Sequence, residues 1–337
     1  MPPPPSAFAD AVILTGPTGS GKSAVALELA ERGNGELIAM DSMTLYRGMD
    51  IGTAKPSLAE RSRVRHHLLD LLDPWESGNV AWWLDRAAEA CAEIRARQRR
   101  PIFVGGTPFY LKSLLCGLFD APPSDLTIRA RLESEAETLG KIALHARLAT
   151  VDAITAARLH PNDLRRVVRA LEVWELTGQP ISSFQQTWDT ATFAGSSSAP
   201  VPPAIPCVAL DWPRDVLYRR IEERVEAMLA AGWLDEVRRL QALPHPLSRE
   251  AAQALGYREL LAFLAGSGGS WEETVSLIQK RTRQFAKRQL TWFRNLPGCV
   301  FCPANEPKVA DRVMQTWLPE PTRVEQTLDS GSPTRYK

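Results

Sequence analysis

The 337-residue sequence has no long apolar run. No stretch approaches the roughly 20 apolar residues that cross a bilayer as a helix, which excludes a helical membrane protein. No basic residue precedes the first apolar run, so the Pro-rich segment Met1 to Asp10 does not read as a signal peptide and is expected to be disordered. Cysteine is scarce: Cys91, Cys116, Cys207, Cys299 and Cys302. An odd, scattered set excludes a disulfide framework, and the chain is expected to be cytoplasmic. Cys299 and Cys302 have CxxC spacing but no second pair, and read as small apolar fillers near a strand rather than as metal ligands. Charge of one sign is also missing, with 40 Lys and Arg against 39 Asp and Glu. That balance neither implies nor excludes nucleic acid; the placement of the charges decides. There is no internal repeat, and the polar tail from Pro319 is expected to be disordered.

What is present begins with alternating strands and helices. Residues 11–15 are apolar and read as a buried strand. A Gly-rich turn and an Ala-rich helix over 23–31 follow, then a second strand over 36–40. A helical stretch at 80–97 leads to a strand at 101–104. This order predicts an α/β fold, a parallel sheet flanked by helices. Ligands of such sheets collect at the carboxyl ends of the strands. Gly16, Asp41 and Thr107 each follow a strand end and are expected on one rim. From 124 to about 178 only helical periodicity is seen, so residues 122–203 read as an inserted all-α domain with a return linker. Residues 11–121 and 204–318 then form a discontinuous core. It includes a short strand at 207–210, a long helix at 214–240 and another at about 271–293, the last opened by capping-box spacing at Ser270 and Glu273.

Gly16-Pro17-Thr18-Gly19-Ser20-Gly21-Lys22-Ser23 matches the P-loop pattern in full, between a strand and a helix. Backbone N–H groups of such a loop turn inward around phosphate oxygens, and the helix N-terminus adds partial positive charge. Lys22 is expected to reach the terminal phosphate oxygens and the Ser23 hydroxyl to ligate Mg2+. A further absence bears on the ligand. The strand at 102–104 ends in Gly105-Gly106-Thr107, with no carboxylate to hold magnesium as in a common P-loop ATPase or GTPase. Asp41 can take a proton or order magnesium-bound water, or merely cap the next turn. Thr107 lies where a ligand comes close, or simply caps the following helix.

Positive charge is concentrated twice. Arg165, Arg166 and Arg169 point away from an apolar face made by Leu164, Val167, Val168 and Leu171. Lys280, Arg283 and Lys287 share one face of a later helix, and Arg281, Gln284 and Arg288 the neighbouring stripe, with Ile278, Phe285 and Trp292 on the buried side. No acidic residue interrupts the second run, and an unmixed basic stripe points to phosphates. The residues alone leave three functions open: an enzyme acting on a nucleic-acid base, an ATP-dependent small-molecule or nucleotide kinase, and an RNA-binding module with a P-loop switch.

The ordered motifs resemble one family, the tRNA dimethylallyltransferases, from about Val12 to Asn295. They are the P-loop; Asp41-Ser42-Met43; Tyr46 to Pro56; His66-His67-Leu68-Leu69-Asp70; Val104 to Thr107 with Tyr110; Leu159 to Asp163 with Arg165 to Arg169; Ala254 to Glu259; and Thr282 to Arg294. The resemblance implies transfer of a dimethylallyl group from dimethylallyl diphosphate to N6 of the adenosine next to the anticodon, in tRNAs reading codons that begin with U. It implies that the P-loop and Arg224 hold the diphosphate with Mg2+, that Asp41 is the general base, and that Thr107 lies against the substrate. It implies tRNA contacts at Asp41, Ser42, Met43, Thr44, Thr107 and Arg129, at Arg165, Arg166, Val167, Val168 and Arg169, at Gly256, Tyr257 and Arg258, and at Arg281, Arg283, Gln284, Lys287 and Arg288. The inserted helices would clamp the anticodon stem-loop. No protein partner is implied, and the enzyme would be a monomer. The sequence departs from the family pattern at Thr44-Leu45, where Gln is frequent, and at Pro108-Phe109, where Gly followed by an apolar residue is common. The two histidines, His66 and His67, are expected to be structural.

Overall fold

The computed structural model describes residues 3–118, 122–185 and 205–317. Its centre is a parallel sheet of six strands: β1 (Val12–Thr15), β2 (Gly35–Ala39), β3 (His66–His67), β4 (Arg100–Val104), β5 (Cys207–Asp211) and β6 (Cys299–Pro303). Their order is β3-β2-β4-β1-β5-β6, every pairing parallel. All residues of β1 and β2 are buried. Strands covered on both faces read as continuous apolar runs rather than alternating ones, which is why this part of the fold was legible. Two strands were not foreseen. β3 has two residues, too few for a pattern, and β6 carries an exposed Val300 between Cys299 and Cys302.

The helix expected from 214 to 240 is two: α10 (Arg214–Ala230) and α11 (Trp233–Gln241). Gly232 between them sits at φ 95°, in the left-handed region, where a helix cannot continue. Residues 3–10 are another correction. They include a short 3-10 helix, Pro5–Phe8, rather than disorder. Phe8 is buried edge-on against Phe103, and Asp10 pairs with Arg95 at 2.6 Å. Much of the return linker, residues 186–204, and the polar tail from 318 lie outside the described residues.

Among the described residues, five helices separate β4 and its following helix α4 (Pro108–Cys116) from β5. They are α5 (Leu126–Leu139), α6 (Lys141–Val151), α7 (Ala153–Arg158), α8 (Leu164–Thr177) and α9 (Ile181–Phe184). They pack around their own core, which includes Leu132, Leu148, Val167, Val168 and Leu171.

Buried ionic groups knit the long loop after β2. The Glu236 carboxylate accepts from the amides of Asp50 (2.9 Å), Ile51 (2.8 Å) and Gly52 (3.3 Å) and from the Tyr257 hydroxyl (2.5 Å). Lys55 is almost wholly buried, donating to the Tyr46 carbonyl (2.7 Å) and to Asp50 and Asp70 (2.6 Å each). The Trp233 ring fills the gap between Gly52 and Gly256; a Cβ at either glycine would lie 2.0 Å from it. The conspicuous Tyr46 to Pro56 and Ala254 to Glu259 motifs are thus largely a packing device, and each charge in them has a partner.

At the other end of the sheet, Glu36 is 2% exposed and is held by His67 (2.7 Å) and by Arg97 (2.9 and 2.8 Å). Burial alone would raise its pKa, but the hydrogen bonds from Arg97 and His67 outweigh burial and hold it at about 2, against an ordinary 4.5. A depressed carboxylate stabilises the fold above its unfolded pKa and loses that contribution as pH falls through the folded value. Stability is therefore expected to drop by about 3 kcal/mol between roughly pH 4.5 and pH 2 from this group. Urea titrations at stepped pH check this: Glu36→Gln should lower stability at pH 7 and flatten the acid limb.

Candidate active site

The site forms where β1, β2 and β4 end on one rim. β1 runs into the P-loop, which delivers α1 (Lys22–Arg32). The buried Thr15 hydroxyl donates to the Gly105 carbonyl at 2.8 Å, tying the ends of β1 and β4 together. Gly105 packs on Met40, where an added Cβ would lie 2.0 Å from the Met40 carbonyl oxygen, so only glycine lets the β2 and β4 ends close up. Thr107 stands at the N-cap position of α4 but does not cap it; its Oγ1 instead accepts the Ser42 amide at 3.2 Å. Asp41 Oδ1 accepts the Met43 amide at 2.8 Å, an Asx turn that fixes the carboxylate at the rim.

Three charges meet here. Burial and the neighbouring Arg224 lower the Lys22 pKa to about 8, with Asp41 opposing them. Burial also lowers Arg224, again opposed by Asp41. Two cations and one carboxylate leave the rim with a positive excess that an anionic ligand would balance. Ser20 Oγ is buried with no partner inside the same loop, a polar group in need of one. The Ser23 hydroxyl is on an exposed residue at the start of α1.

The loop is braced by residues that sequence reasoning missed. Trp212 Nε1 donates to the Ser20 carbonyl (2.9 Å) and Arg220 Nε to the Gly19 carbonyl (2.9 Å), while the Arg220 guanidinium lies 4.4 Å over the Trp212 ring. Arg220 is one turn before Arg224 on α10, and that spacing was the available signal. Gln289, on α14 (Trp271–Arg294), is 2% exposed and reaches the loop as well, accepting from the Thr18 amide at 2.9 Å.

Several expected RNA contacts are placed differently. Val167 and Val168 are buried in the core of the helical unit and cannot touch a ligand; Arg165 and Arg166 beside them are exposed. Arg129 and Arg169 converge on the buried Glu172, at 2.9 and 2.6 Å. Thr44, Gly256 and Tyr257 are buried, and Tyr257 serves Glu236. The basic stripe of α14 is mixed after all, because acids arrive from other helices: Arg281 and Arg258 pair with the buried Glu259, and Arg283 with Glu222. Lys280, Gln284, Lys287 and Arg288 remain exposed. The buried side of α14 is Ile278, Ala286, Gln289 and Phe293, with Phe285 and Trp292 only partly covered. The two histidines bond locally: His66 Nδ1 lies 2.7 Å from the Val64 carbonyl, and His67 serves Glu36. Among the described residues no cluster of three His, Cys, Asp or Glu could hold a metal, and no helix is long and apolar enough to cross a membrane.

Fold and rim together define a P-loop α/β protein whose phosphate cradle faces a carboxylate from β2 rather than one at the end of β4. The IPP transferase family model matches residues 44–296. A tRNA dimethylallyltransferase from Geobacter metallireducens is 50% identical over 283 residues, 84% of this chain and 89% of that protein. The crystal structure of the full-length tRNA isopentenylpyrophosphate transferase from Bacillus halodurans is 36% identical, with a TM-score of 0.63, over 91% of this chain and 94% of that one. A eukaryotic dimethylallyltransferase crystallised acting on tRNA is 27% identical, with a TM-score of 0.68, over 87% of this chain and 73% of that one. The chain belongs to the IPP transferase family.

Because anion binding restores the proton to Lys22, affinity for inorganic diphosphate should be full below about pH 8 and fall by up to about tenfold per unit above it. Calorimetric titrations across pH 7 to 10 check this, with Lys22→Met expected to weaken binding and abolish the slope.

Proposed function

We propose that this enzyme transfers a dimethylallyl group from dimethylallyl diphosphate to N6 of the adenosine next to the anticodon, in tRNAs that read codons beginning with U. The observation that carries the proposal is the rim itself: a phosphate cradle with Lys22 and Arg224, facing Asp41. In the reaction, the N6 lone pair forms a bond to the first carbon of the prenyl group and the carbon–oxygen bond to diphosphate breaks. Lys22, Arg224 and the P-loop amides neutralise the charge that grows on the departing diphosphate. Asp41 takes the proton released from the amine, which is a weak nucleophile without that help. Thr107 lies beside it and orders the Ser42 turn against the substrate. The reacting amine must leave its stack to enter such a rim, and an unpaired anticodon loop makes that inexpensive.

Magnesium suits the oxygen donors present. The Ser23 hydroxyl is a hard ligand of the kind it takes together with phosphate oxygens and waters, and the ion's charge would further offset that of the diphosphate. The exposed cations Arg165, Arg166, Lys280, Lys287 and Arg288 are the surface for the anticodon stem-loop backbone. We place the enzyme, as a monomer, in the cytoplasm with its acceptor RNA.

Incubation with labelled dimethylallyl diphosphate and unmodified tRNA should put label into the RNA; ATP turnover without labelling would instead support a kinase. Asp41→Ala should lower kcat by about 100-fold or more while leaving tRNA affinity nearly unchanged, and an equal loss of affinity would make Asp41 structural. Replacing Lys287 and Arg288 together by Ala should weaken tRNA binding and reduce the slope of log affinity against log salt by about 1 to 2. A salt titration of binding reads this directly.

A further inference from the structure

We infer that Gln289 is a positioning residue that sets the gap between the diphosphate cradle and the acceptor side of the site, and does so from the helix that meets RNA. The inference rests on the prenyl-transfer reading. Gln289 is 2% exposed, and its amide bonds to both the P-loop and the loop after β4, which leave neighbouring strands of the sheet. Oε1 accepts the Thr18 amide at 2.9 Å, and Nε2 donates to the Gly106 carbonyl at 2.6 Å. The orientation is unambiguous, since an amide N–H can only donate and a carbonyl can only accept. A Cβ at Gly106 would lie 2.5 Å from Nε2, so Gly106 is open to let the amide in.

The bridge continues on both sides. Thr18 lies within the loop that holds Lys22. Gly106 precedes Thr107, whose hydroxyl holds the Ser42 turn beside Asp41. The same amide therefore touches the part of the site that binds the leaving group and the part that aligns the attacking amine. In α14 the residues just before it, Lys287 and Arg288, are exposed cations, so RNA seated on them bears on the helix that carries the bridge. No shorter or differently charged side chain can do this. Asn falls a methylene short, Leu has no polar atoms, and Glu would set a carboxylate oxygen against the Gly106 carbonyl and near the diphosphate.

The test compares the full-length enzyme with Gln289→Leu and Gln289→Glu, reading kcat, tRNA affinity and affinity for magnesium diphosphate, with thermal melting as the check on folding. Both variants should lose about tenfold or more in kcat while tRNA affinity stays within about twofold, and Glu should lose more diphosphate affinity than Leu. Gly106→Ala displaces the same amide from its other side. Combined with Gln289→Leu it should cost little beyond either change alone, because both break one bridge. The inference is overturned if kcat and diphosphate affinity match the wild type, if the loss is confined to tRNA affinity, or if the two changes simply add. Should the wild type bind diphosphate yet label no tRNA, prenyl transfer falls, and the role of Gln289 at the cradle is still decided by diphosphate affinity.

Discussion

Burial lowers the pKa of both Lys22 and Arg224 at the mouth of the P-loop, Arg224 lowers that of Lys22 further, and the rest of the molecule is arranged to keep them there. Two cations in a partly buried site repel, and one carboxylate, Asp41, does not cancel them. The site stores an unfilled demand for a polyanion. In the proposed reaction a diphosphate would meet that demand at the start and need it most as it leaves, when its charge is greatest. Asp41 thereby has two tasks. Its charge favours the protonated cations, and in the proposed reaction it would take the proton of the amine.

Holding such a site requires rigid surroundings, which are supplied by side chains bonded to the backbone of its loops. Thr15 ties the end of β1 to that of β4, Arg220 and Trp212 brace the loop from α10, and Gln289 spans from α14. Behind the loop that follows Asp41, Glu236 gathers three amides and a hydroxyl, and Lys55 is shared between two aspartates. These charges fix one loop conformation, because Glu236 and Lys55 are buried and would be left unpaired if their partners were removed.

The inserted helical unit follows the same rule at a distance. Glu172 holds Arg129 and Arg169, so α5 and α8 are locked to one another by charge as well as by their apolar core. The cations left exposed, which we propose as the RNA surface, are Arg165 and Arg166 on one side, and Lys280, Lys287 and Arg288 on the other.

By itself the sequence determined whatever is written locally. Buried parallel strands read as apolar runs, the P-loop is a contiguous pattern between strand and helix, and Asp41 and Thr107 stand directly after strand ends. Family motifs carried the rest of the function. Only the tertiary structure decided which charges are spent. Arg281 and Arg283 look unpaired along α14 because Glu259 and Glu222 come from elsewhere in the chain, and the Tyr46 to Pro56 motif looks functional because Glu236 and Trp233, far away in sequence, are what it packs on. Val167 and Val168 belonged to the apolar face by periodicity alone, and burial settles them as core. The Thr282 to Arg294 motif took in Gln289 without marking what it does. Its role depends on two backbone groups 271 and 183 positions away, a relation that one-dimensional spacing does not contain.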